Sequence, residues 1–97
     1  MKKADEIKET LKKHKEELRE RFKVKEIGIF GSYVKGEQKK VSDIDILVEF
    51  EEPIGLFAFM DLEENLSTLL GTKVDLIPKK ALKPRIGKHI LKEVVYI

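Results

Sequence analysis

Apolar and charged positions alternate along this chain with two distinct periods. Between residues 4 and 22, Ile7, Leu11, Leu18 and Phe22 fall on one narrow stripe, His14 shares that stripe, and nearly every other position is charged. Spacings of four and seven are those of a helix with a single buried face, so the pattern predicts one helix over 4–22. His14, with no partner at metal-ligand spacing, reads as a packed or half-exposed member of the stripe rather than a ligand. Lys25 to Phe30 then reads as a short strand stopped by Gly31, and a polar, basic loop follows from Ser32 to Ser42.

From Asp43 to Phe50 the period changes to two. Ile44, Ile46, Val48 and Phe50 share one face; Asp43, Asp45, Leu47 and Glu49 share the other. Pro53 and Gly55 mark a turn, and helical spacing returns over 56–70 with Phe59, Leu62, Leu66 and Leu69 expected inside and Gly71 as the stop. Lys73 to Ile77 is a third strand closed by Pro78. A last helix is expected to begin near Pro84, a residue suited to a first helical turn, and to run towards Val94. The order helix-strand-strand-helix-strand-helix predicts an α/β (α+β) fold: a small mixed sheet of about three strands with flanking helices.

Composition narrows the class. The 97 residues are read as a single domain, 1–97, of ordinary apolar content (41 %) and a heavily charged surface (39 %). With no cysteine, disulfides and thiolate metal sites are excluded. No apolar h-region follows the basic start, and the longest apolar run, Ile54 to Met60, is too short to span a bilayer, so a cytoplasmic protein is expected. Net charge is only +2 but unevenly spread. Residues 41–72 hold eight Asp or Glu and no Lys or Arg, whereas residues 79–97 hold six Lys or Arg and one Glu. Either block can be a solvated face; together they suit an acidic centre for cations beside basic flanks for phosphate.

The chemistry rests on the acids. Asp43 and Asp45, two apart on a strand, point the same way and can share a cation. Asp75 stands between Val74 and Leu76 in another strand. If the helix at 56–70 is a crossover, the two strands can lie parallel and adjacent, which brings the three acids together. A calcium loop is excluded because Ile46, Leu47 and Val48 follow the pair, and a P-loop because Glu37 and Gln38 stand where Lys and Ser/Thr are required. Gly31 permits a sharp turn off its strand, and Ser32 offers a hydroxyl and an N–H to a phosphate oxygen.

Gly31-Ser32, ten intervening residues, Asp43-Ile44-Asp45 and a later Asp75 resemble the signature of the polymerase-beta-like nucleotidyltransferase superfamily, and the short length resembles its minimal nucleotidyltransferase (MNT) family. The likeness runs from about Ile27 to Tyr96. It implies a nucleotidyltransferase fold in which Asp43, Asp45 and Asp75 are catalytic and ligate Mg²⁺, two ions per site, while Gly31 and Ser32 hold the terminal phosphates of ATP or another nucleoside triphosphate. Arg85 is a further phosphate candidate. Lys35, Lys39, Lys40 and Lys88, and the rings of Tyr33, Phe57 and Phe59, are open alternatives for phosphate or base contacts. The family also implies an antitoxin that transfers AMP to a hydroxyl of a partner HEPN toxin. A non-catalytic antitoxin that inhibits by complex formation is an alternative, as is a nucleic-acid acceptor; the latter is disfavoured because no aromatic stacking platform is evident.

Overall fold

The structure, a computed structural model, describes residues 4–31 and 44–97. Two helices, α1 (Ala4–Lys13) and α2 (Lys15–Phe22), lead into strand β1 (Val24–Phe30); strand β2 (Ile44–Phe50), helix α3 (Leu56–Leu70) and strand β3 (Val74–Pro78) follow. A single 3₁₀ turn at Lys79–Ala81, helix α4 (Pro84–Glu93) and strand β4 (Val95–Tyr96) complete the chain. The sheet order is β3-β2-β1-β4; β1 is antiparallel to β2 and β4, and β2 is parallel to β3. The expected mixed sheet with flanking helices is present, with four strands among the described residues where about three were expected. The extra strand is the two-residue β4, whose pairs Gly28↔Tyr96 and Ile29↔Val95 are too few to leave a periodic trace.

The predicted first helix is two helices, broken at His14. The cause is local: His14 Nδ1 lies 2.9 Å from the Thr10 carbonyl, the acceptor that the His14 amide would use in an unbroken helix. The amide turns instead to Leu11 O at 3.2 Å. A side chain competing for a backbone partner in this way interrupts a helix. The apolar stripe survives the break, and Ile7, Leu11, Leu18 and Phe22 all reach the core. At the end of α2 the chain reverses through Lys23 in the left-handed region (φ 60°), whose N–H caps Arg19 O at 3.0 Å.

One face of the sheet carries the main core. Ile27 and Ile29 of β1, Ile44, Ile46 and Val48 of β2, and Val74 and Leu76 of β3 pack against Leu62, Leu66 and Leu70 of α3 and the stripe of α1 and α2. In α3 the buried positions recur every four residues, so Leu70 is buried and Leu69, expected inside, is half-buried on the flank. Gly71 ends the helix in the left-handed conformation, φ 68°, as expected. The opposite face of the sheet holds the buried Phe30 and Leu47. It is also approached by Val94: a Cβ on Gly28, the register partner of Leu47, would come within 2.7 Å of Val94 Cγ2. Among the described residues no helix is long and apolar enough to cross a membrane.

Candidate functional site

A parallel pair needs a crossover, and α3 supplies it, setting β3 beside β2 with both strands starting at the same end of the sheet. The Ile44 amide donates to Lys73 O at 3.0 Å, pinning the two strand starts together. In the resulting register Ile44 faces Val74, Asp45 faces Asp75 and Ile46 faces Leu76. Paired residues on adjacent strands present their side chains to the same face, and neighbouring strands lie about 4.8 Å apart. With Val74 and Leu76 committed to the core, Asp45 and Asp75 both stand on the opposite face, Asp75 exposed and Asp45 half-buried.

The third neighbour in this row comes from β1. Phe30 pairs with Asp45, so Gly31 leaves the sheet alongside that carboxylate. Gly31 adopts φ 80°, and a Cβ built there would collide with a carboxylate oxygen of Asp45. Glycine is required twice over, for the positive φ and for the space the Asp45 side chain fills. The sequence pointed to Gly31 as a turn that lets a phosphate approach; the structure adds its contact with the acid.

Asp45, Asp75 and Gly31 are thus brought together. Ser32 and Asp43, with Tyr33, Lys35, Lys39 and Lys40, lie outside the described residues. Arg85 is exposed in the first turn of α4, as is Lys88 one turn on. Of the two candidate stacking rings, Phe59 packs edge-on against Phe50 with ring centroids 6.3 Å apart and is partly buried against the core. Phe57 is 80 % exposed. Both belong to the start of α3, where an apolar groove of about 390 Å³ lined by Phe50, Ile54, Leu56, Phe59 and Pro78 opens. That groove lies at the C-terminal ends of β2 and β3, away from the aspartates at their N-terminal ends.

Two carboxylates side by side on adjacent strands repel each other, an arrangement relieved by a cation between them. The donors are hard oxygens, and the exposure of Asp75 leaves room for water and a phosphate oxygen in the same coordination sphere, which is what a magnesium-type ion requires. The residues present therefore fit a divalent cation. Among the described residues no group of three or more potential ligands is assembled.

Comparison with known proteins agrees with this geometry. Residues 11–97 match the family described as the nucleotidyltransferase domain. A protein from Thermococcus cleftensis named protein adenylyltransferase MntA is 58 % identical over 93 residues, covering 96 % of this chain and 94 % of its own. Among solved structures, a chain provisionally named a minimal nucleotidyltransferase superposes with a TM-score of 0.74 at 36 % identity, covering 90 % of this chain and 92 % of the other. A chain from a toxin–antitoxin crystal structure with AMP-PNP gives 0.73 at 28 % identity, covering 88 % and 69 %. Matched along nearly all of its length, and carrying two acids of the motif in register, this chain belongs to the nucleotidyltransferase domain family.

Proposed function

We propose that this nucleotidyltransferase is a protein adenylyltransferase, moving AMP from ATP to a hydroxyl side chain of a protein acceptor of the HEPN toxin class. The observation that carries the reading is the in-register pairing of Asp45 with Asp75 beside Gly31. The MntA name of the Thermococcus cleftensis relative and the AMP-PNP of the toxin–antitoxin structure support the choice of reaction and nucleotide. The minimal-family resemblance supports the acceptor class.

In this reaction the acceptor oxygen attacks the α-phosphorus of ATP. A new P–O bond forms, the bond to the bridging α–β oxygen breaks, and pyrophosphate departs with its electron pair. Asp45 and Asp75, with Asp43 of the motif, would hold Mg²⁺, which when bound supplies positive charge to the triphosphate and to the attacking oxygen. Asp75, on an edge strand and open to solvent, would accept the hydroxyl proton as the bond forms. Asp45, held against Gly31, fixes one carboxylate beside the turn at Gly31; the hydroxyl and amide of Ser32, the next residue of the motif, would take the terminal phosphates. An apolar core directly beneath the two acids keeps their backbones from shifting as charge moves above them.

The test is to incubate the protein with ATP, Mg²⁺ and the HEPN-type product of the neighbouring reading frame, and to weigh both chains by intact mass spectrometry. The expected result is the mass of one or more AMP units gained by the partner, lost with EDTA and with Asp45→Asn or Asp75→Asn while circular dichroism is unchanged. A stable complex that silences the partner without any mass gain would replace the enzyme with a binding antitoxin. Transfer to RNA or DNA alone would replace the acceptor.

A further inference from the structure

β3 is an edge strand with a single strand neighbour, β2, yet it carries one of the two described acids. In a parallel ladder alternate residues direct their backbone groups to opposite sides. Asp75 turns its backbone towards β2, and Val74 and Leu76 turn theirs outward, where an edge strand would ordinarily meet water. Here the outward amides are taken by side chains of α3. The Val74 amide donates to Ser67 Oγ at 3.0 Å and the Leu76 amide donates to Glu63 Oε2 at 3.2 Å. The Ser67 hydroxyl in turn donates to the Glu63 carbonyl at 2.9 Å, which commits its proton and leaves an oxygen lone pair for Val74. The two amides gripped are those on either side of Asp75.

We infer that Glu63 and Ser67 are positioning residues for Asp75: they clamp the edge strand from its open side and so hold the Asp75 carboxylate level with that of Asp45. The inference rests on the functional reading above and extends it to residues that touch neither nucleotide nor metal. Three features separate it from simple edge protection. The clamp covers the two residues flanking the acid. Its parts are one helical turn apart, each following a buried leucine, Leu62 and Leu66, so the packing of α3 sets their height against the strand. One of them is a carboxylate, whose hydrogen bond to an amide is stronger than that of a neutral acceptor.

The test combines Glu63→Ala, Glu63→Gln and Ser67→Ala, each alone and with Asp75→Asn, using three readouts. Amide hydrogen exchange at Val74 and Leu76 reports the clamp directly; Mn²⁺ binding by calorimetry or spin resonance reports the acids without turnover; and AMP transfer is resolved into kcat and KM for ATP. Glu63→Ala is expected to speed exchange at Leu76, and to weaken Mn²⁺ binding and lower kcat by about 10–100-fold, the range seen when the partners that orient metal ligands are removed. KM for ATP should stay within a few-fold. Glu63→Gln, which keeps an acceptor oxygen, should restore most of the loss, and Ser67→Ala should act in the same direction at Val74.

In the Asp75→Asn background, where transfer is already lost, neither alanine should lower Mn²⁺ affinity further, because residues acting through one group are not additive. The inference is overturned if Glu63→Ala and Ser67→Ala change only the melting temperature, or if their effects persist unchanged without Asp75. If Glu63→Ala does not fold, Ser67→Ala and Glu63→Gln carry the same comparison. A different outcome, full transfer and full Mn²⁺ binding by Asp75→Asn itself, would remove the functional reading, and the clamp's purpose with it.

Discussion

Replacing Gly31 by alanine separates two effects that glycine usually confounds. Both Gly31 (φ 80°) and Gly71 (φ 68°) sit in the left-handed region. An L-residue there costs roughly 1–2 kcal/mol, and in a domain of 60–100 residues each kcal/mol shifts the melting temperature by about 4–8 °C. Both substitutions should therefore lower Tm by roughly 4–16 °C. They differ in what the new methyl meets: nothing within 4 Å at Gly71, but a carboxylate oxygen of Asp45 at Gly31. The Gly31→Ala methyl can be housed only if the Asp45 side chain rotates away or the turn moves, and a misplacement of about 1 Å at a reacting centre can remove about 10²-fold of rate. Measured well below both melting temperatures, AMP transfer by Gly71→Ala should stay near wild type, whereas Gly31→Ala should lose about 10²-fold in kcat. Equal activity in the two variants would refute the claim that the Asp45 carboxylate must lie where it does.

Two further expectations concern the scaffold. Leu66 is wholly buried and Leu69 half-buried on the same helix. Leu66→Ala should cost about 2–5 kcal/mol in urea unfolding, and Leu69→Ala about 1 kcal/mol; the reverse order would contradict the four-residue stripe of α3. Lys23→Gly should stabilise by about 0.5–1 kcal/mol, read as a higher urea midpoint, because Lys23 holds φ 60° at no evident gain and its cap to Arg19 O uses only the backbone.

Much of this organisation was legible in the residues. The bounds of α3 followed from leucine spacing and from Gly71, and the core face of β2, Ile44, Ile46 and Val48, followed from its alternation, though not the burial of Leu47 on the other face. The parallel neighbourhood of Asp45 and Asp75 followed from reading α3 as a crossover. What escaped the sequence was decided by partners. The interruption at His14 depends on which atom takes the Thr10 carbonyl, and no stripe records that. β4 exists because Val95 and Tyr96 find an unpaired edge of β1, and two residues carry no period. Glu63 and Ser67 are, by pattern alone, ordinary polar positions of an amphipathic helix. The signal that would have found them is their placement four apart, each just after a buried leucine, on the helix that must cross to an edge strand. The same logic explains Leu69: periodicity located the stripe, and packing chose between neighbours.

The register of β2 against β3 has a consequence for how this protein can fail. Asp45 and Asp75 are 30 residues apart in the chain, and the hairpin of β1 and β2 can form without bringing them together. Non-local parallel pairing is slow relative to hairpin closure, so competence should emerge late in folding. A one-residue slip of β3 would carry Asp75 into the core and push Val74 and Leu76 into water. The apolar side chains that forbid the slip thereby forbid a folded chain with its acids facing the wrong way. Selection for a packed core is then also selection for the chemistry, and errors of assembly should surface as unfolded protein rather than as a stable, silent impostor.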